Sequence, residues 1–162
     1  MSDRFRENPQ TKTITGYTER LAAFRAGKSA EELAWQVRTY DTEARLVGIM
    51  HKRGVGFLVG TDADLFYAAG FGVHREMELL VAAGLSAADA LRAATLNPAR
   101  ALRKTHLFGT VRAGRMADLV LLDANPLQDI RYTRRIRAVV LKGRLVSREE
   151  LDRMLQVSAS RP

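Results

Sequence analysis

The spacing of apolar positions changes three times along this chain. From Ser29 to Lys52, the residues Leu33, Val37, Tyr40, Ala44 and Val47 are separated by 4, 3, 4 and 3 positions. That is one stripe on an α-helix, and it needs a surface to pack on. Trp35 lies off the stripe and is expected to cover a neighbouring element. At Gly54 the period breaks. Val55, Phe57, Leu58 and Val59 follow as a short apolar run that ends in Gly60-Thr61-Asp62. Such a run reads as a strand buried on both faces. Past residue 73 the helical period returns, and after Phe108 it gives way to short β runs.

Turn and cap residues sharpen these limits. Ser29, Ser86 and Ser147 each have an acid three residues on, the pattern of a capping box. Gly27, Gly54 and Gly84 stand where helix C-caps want a left-handed residue. The pattern predicts helices over 17–26, 30–52, 73–83 and 87–95, and a short one over 97–103 with Pro98 in its first turn. In "GTVRAGRMADLVLLD" two β runs flank Gly114. Residues 138–141 and 144–146 read as a hairpin turning at Lys142-Gly143. A helix over 148–156 and a polar tail finish the chain. Helix, buried strand, loop, helix is the order of a parallel α/β sheet, in which ligands collect at the carboxyl ends of strands. The expected division is a parallel α/β part over 1–107, a small β part over 108–147, and a helix and tail over 148–162.

Composition adds exclusions. The chain has 162 residues, 46% of them hydrophobic and 27% charged. No apolar run approaches the roughly 20 residues that span a bilayer, and the first ten residues carry no apolar signal core. There is no cysteine, so thiolate ligands and disulfides are unavailable, and a reducing, cytoplasmic setting fits. The net charge is +8. Its densest cluster is Arg131, Arg134, Arg135 and Arg137, with only Tyr132 beside it. Nucleic-acid modules combine such clusters with stacking aromatics or a known motif. The expectation is a solvated arginine-rich face, with no nucleic-acid and no membrane partner.

The chemistry-bearing candidates are few. Asp62 ends the apolar run and either marks its exit to water or faces a site. Asp64 is the second acid of that loop, and Thr61 is placed to orient Asp62 through its hydroxyl. Phe66, Tyr67 and Phe71 either wall a pocket or pack the loop. His51 sits at a helix C-terminus, where a cation suits the dipole. His74 opens the next helix and is the candidate substrate contact. His106 is expected at the surface. The three histidines are spaced as in neither His-x-His nor His-Glu-x-x-His. Asp118 is expected to orient a turn through backbone hydrogen bonds.

Four stretches in order resemble the C-terminal portion of a metal-dependent amidohydrolase of the imidazolonepropionase-like branch. They are "VGTDAD" at 59–64, "HREMELLVAAGLSAADALRAATLNPARAL" at 74–102, "GTVRAGRMADLVLLDANPLQDI" at 109–130 and "TRRIRAVVLKGRLV" at 133–146. The resemblance implies an α/β fold: the C-terminal segment of a distorted (β/α)8 barrel plus part of a small β-sandwich. It implies one or two divalent metals, zinc first, with iron or manganese as alternatives. It maps the aspartate after the last barrel strand onto Asp62, as metal ligand and as the group that takes a proton from attacking water and returns it to the leaving amine. The substrate would be a small-molecule amide or cyclic amide, cleaved at its C–N bond.

A complete barrel typically takes about 250 residues, and a catalytic zinc normally keeps three protein ligands. This chain is too short for the first, and the family's histidine ligands fall outside the matching region. It is therefore expected to be inactive alone. Three accounts fit: a truncated product begun at an internal methionine, one half of a split enzyme, or a non-catalytic module that docks on a partner. Unpaired strand edges predict self-association or assembly with a missing N-terminal barrel half.

Overall fold

The computed structural model describes residues 26–61 and 70–159, with side chains to residue 156. Asp62, Asp64, Phe66, Tyr67 and all but the last residue of the expected helix over 17–26 lie outside the described residues. The first described helix, α1, runs Ala30–Lys52. It is followed by α2 (Gly72–Ala82), α3 (Ala87–Ala94) and α4 (Leu96–Ala101). The β part contains β1 (Leu119–Leu122), a 3-10 turn (Ile130–Arg134), β2 (Ile136–Leu141) and β3 (Arg144–Val146). The last helix, α5, is Arg148–Ala159.

The serine caps act locally. Ser29 takes the Glu32 N–H while Glu32 reaches back to the Ser29 N–H at 2.7 Å, a complete capping box. At Ser86 and Ser147 the hydroxyl accepts the N–H of Asp89 and Glu150, but the acids do not close the second bond. Ser86 donates instead to the Asp89 carboxylate and Ser147 to that of Glu149. The β strands form one antiparallel sheet in the order β1-β2-β3. The hairpin turns at Lys142 and Gly143, with φ of 50° and 82°. Two successive positive φ values make the primed turn whose twist matches the flanking strands. Asp118 accepts the Lys142 N–H at 2.6 Å and fixes the turn, the backbone role read for it.

The core is small. Met77, Ala90 and Ile130 are buried together, with Val59, Val73, Leu80, Val81 and Leu91 against them. Ile130 comes from the β part, so the 3-10 turn plugs directly between α2 and α3. Around this plug Arg134 meets Glu78 at 2.8 Å, and Glu78 also holds Arg75 at 3.2 Å. Gly48 of α1 is buried against the end of α2. A Cβ there would sit 2.3 Å from the Ala83 carbonyl oxygen, so glycine sets how closely the two helices approach.

Three sequence expectations fail here. The run Val55–Val59 forms no strand among the described residues, and Val55 and Leu58 are 41% and 54% exposed. A strand needs a neighbour's backbone, and no described strand lies beside it. The stripe on α1 is likewise largely uncovered: Leu33, Val37 and Tyr40 are exposed, as is Trp35 beside the stripe, and packing begins near Ala44, Val47 and Gly48. Finally, only one of the two β runs around Gly114 is a strand. Val111 is 85% exposed, and the segment is held as a loop by the Arg115 guanidinium, which donates to the Thr105 and Phe108 carbonyls.

Candidate functional site

The run 54–61 is held by helices rather than by strands. The Val59 N–H donates to the Ala93 carbonyl at 3.0 Å, and the Asn97 side-chain amide donates to the Phe57 carbonyl at 2.9 Å. Asn97 thus explains the polar residue of "TLNPA": an amide reaches across 40 positions to a backbone oxygen in the run. Pro98 follows in the first turn of α4, where its missing N–H costs nothing.

The end of the run is fixed at one further point. Thr61 packs its methyl side on α2, so closely that a Cβ on Gly72 would lie 2.9 Å from Thr61 Cγ2. Glu76 is half-buried. Burial raises its carboxyl pKa above the usual range, and the Gly60 N–H opposes that rise. In the sequence, residue 62 follows directly on Thr61.

His74, in the first turn of α2, is aimed at the β part. Its Nδ1 lies 3.0 Å from Thr133 Oγ1. The Thr133 hydroxyl spends its hydrogen on the Ile130 carbonyl at 2.8 Å, so it accepts from Nδ1–H. The neutral ring therefore carries its proton on Nδ1 and leaves Nε2 as the acceptor. Burial lowers the imidazole's pKa; Arg134 adds to this and Glu78 opposes it.

The other candidates separate. His51 lies 3.5 Å from Asp89, whose carboxyl is pulled below its ordinary range by the Ser86 hydroxyl first and then by Arg92. Both line a cavity of about 200 Å³ that also touches Gly54, Phe57, Asn97 and Arg100. That cavity opens at the amino-terminal end of the run. His106 is exposed, and Phe71 is half-buried at the start of α2. The arginine cluster is paired within the chain: Arg131 with Asp129, Arg134 with Glu78, Arg137 with Asp123, while Arg135 stacks on Tyr132 at 4.5 Å.

Glu76 and Thr133 escaped the sequence reading. Glu76 had a signal: it stands three residues after Val73 and four before Leu80, an acid on the helix's apolar face. Thr133 had none, because its role depends on how the 3-10 turn meets α2. Among the described residues no three His, Asp or Glu side chains converge as a metal would require. The described donors do not by themselves make a metal centre.

Helices around an apolar run, with the run's end pinned and a small antiparallel sheet plugged in beside it, define a protein of mixed α and β structure. The amidohydrolase family pattern matches residues 30–146, and the chain belongs to that family. Over 55 residues it is 46% identical to adenine deaminase 2 of Jannaschia sp. (strain CCS1), covering 34% of this chain and 9% of that protein. Over 71 residues it is 34% identical to a probable imidazolonepropionase of Xenopus laevis, covering 41% and 16%. Among solved structures, a putative prolidase from Bifidobacterium longum superposes with a TM-score of 0.58 at 35% identity, covering 71% of this chain and 30% of that one. The chain spans about a tenth to a sixth of these curated relatives. Membership of this family implies a TIM-barrel-type fold.

Proposed function

We propose that this chain is the C-terminal segment of a metal-dependent hydrolase of C–N bonds in small amides or cyclic amides, and that it contributes Asp62 to the active site. Residues 1–107 belong to the barrel in this reading, 108–147 to the composite β-sandwich, and 148–162 to a closing helix and tail. The observation that carries it is the pinned end of the apolar run. Thr61 is packed against Gly72 of α2, and residue 62 is the next position, where an enzyme of this family needs a carboxylate. The names of the relatives, a deaminase, an imidazolonepropionase and a prolidase, support C–N cleavage.

The metal, zinc first with iron or manganese as alternatives, would take Asp62 from this chain and its remaining ligands from another segment. Asp62 would be the chain's catalytic residue as well as its metal ligand. His74 is the proposed substrate contact. Its position at the start of α2 and its free acceptor at Nε2 favour that role, whereas the Thr133 bond serves the joint with the β part. No helix among the described residues is long and apolar enough to cross a membrane. The neutralised arginine cluster supports a small-molecule substrate over nucleic acid.

A second reading, a non-catalytic module or half of a split enzyme that completes a partner chain, is favoured by the uncovered α1 stripe and the unladdered run. Co-production with a barrel segment that carries the family's histidine pair separates the two. The enzyme reading expects metal uptake and amide hydrolysis, with Asp62→Asn lowering the rate by about 10²–10⁴-fold, the usual worth of a positioned acid-base group. Stable assembly without metal or hydrolysis favours the module. An assembly in which Asp62→Asn keeps full activity removes Asp62 from the site.

A further inference from the structure

Thr133 is the one buried polar side chain among the described residues, 4% exposed. A buried hydroxyl costs desolvation unless it is hydrogen-bonded. One local bond meets that need: the hydroxyl donates to the Ile130 carbonyl, three residues back, at 2.8 Å. The oxygen keeps its capacity to accept, and His74 Nδ1, 59 positions away in the sequence, lies 3.0 Å from it. The hydroxyl cannot turn its hydrogen to the ring without giving up the carbonyl. Its seat is firm on either side. Ile130 is buried in the core with Met77 and Ala90. Arg134, next to Thr133, holds Glu78 at 2.8 Å, one turn along α2 from His74. The 3-10 turn is thus docked on α2 at both flanks of Thr133. In a neutral imidazole, the hydrogen bond made by one nitrogen decides which nitrogen carries the proton.

We propose that Thr133 is a positioning residue: from the β part it holds His74 as the Nδ1–H tautomer, so that Nε2 is fixed as an acceptor and the substrate group it meets is a hydrogen-bond donor, an amide N–H or a protonated amine. A carbonyl or carboxylate, which can only accept, finds no donor at Nε2 while the ring is neutral. The β part then has a task besides packing, because it sets the polarity of a nitrogen on the helical part. The donor preference rests on the proposed role of His74 as substrate contact; the hold on the ring does not.

Nitrogen spectra of the histidine rings in the isotope-labelled chain test it, at about pH 8 where the imidazole is neutral. The His74 signals are assigned by their loss in His74→Gln. In the unsubstituted chain the ring should be protonated at Nδ1. Thr133→Ser keeps the hydroxyl and should keep that state. Thr133→Val removes it and should shift the tautomer ratio toward Nε2–H about fivefold or more, one ordinary hydrogen bond expressed as an equilibrium. A ring protonated at Nε2 in the unsubstituted chain overturns the proposal, and so does an unchanged ratio in Thr133→Val. Should Thr133→Val not fold, the tautomer of the unsubstituted chain decides. The substrate half is read separately. In the assembly with the barrel segment, KM for an amide bearing an N–H should rise about fivefold in Thr133→Val, with kcat little changed and Thr133→Ser like the parent. A shifted tautomer with unchanged KM removes His74 from the substrate site, while the hold of Thr133 on the ring stands.

Discussion

His74 illustrates how one side chain ties protonation to the joint between the two parts. Its imidazole is held below its ordinary value of 6.5 by burial and by Arg134. The folded chain therefore binds fewer protons than the unfolded chain just below that value. Stability is fully present above about pH 6.5 and is lost as pH falls from there through the folded pKa. Urea unfolding at about pH 8 and at about pH 5.5 should show a lower midpoint at the acid end. His74→Gln, which can still donate to Thr133, should flatten that difference. An unaltered pH dependence would show that His74 stays solvated. Glu76 shifts the opposite way, so the comparison between variant and parent, rather than the raw curve, isolates the histidine.

At the scale of elements, helix boundaries were mostly legible and strand identity was not. The Ser29 box and the residues around Lys52 and Gly54 bound α1 as expected, because caps are local hydrogen bonds between near neighbours. The hairpin was legible for the same reason. Gly143 supplies one left-handed residue freely, but Lys142 adopts the other with a side chain. Asn tolerates that conformation better, so Lys142→Asn should stabilise the sheet by about 0.5 kcal/mol, while Gly143→Ala should cost about 1 kcal/mol. Denaturant midpoints of the two variants should move in opposite directions. The apolar run 55–59 misled because composition cannot say whether a neighbouring strand is present. The loop at 110–118 misled because its alternation is satisfied by the Arg115 side chain bonding to carbonyls instead of by a ladder.

Over the whole molecule, apolar surface is left uncovered where a barrel would supply neighbours. Leu46 and Ile49 on α1 are 54% and 56% exposed, and Leu33, Trp35 and Val37 extend the surface. Exposed apolar patches of this kind mark interaction surfaces. The chain alone should therefore form concentration-dependent oligomers in light scattering. Leu46→Gln together with Ile49→Gln should shift it toward monomer without lowering its thermal midpoint, since neither side chain is buried. A monomer at every concentration would show that this surface does not drive association.

What the sequence determined by itself was set over short separations: helix caps, the hairpin turn, the position of an aspartate at the end of an apolar run, and motifs sufficient to indicate the family. These depend on residues a few positions apart, where side-chain chemistry and backbone geometry are coupled directly. The tertiary structure alone decided which distant groups meet. It brought Ile130 into the helical core and set Thr133 on His74 and Glu78 on Arg134. It also left much of the α1 stripe exposed and the apolar run without a partner strand among the described residues. Such contacts depend on how closely helices approach, which here is set by a bare glycine at position 48, and no spacing along a chain encodes that distance.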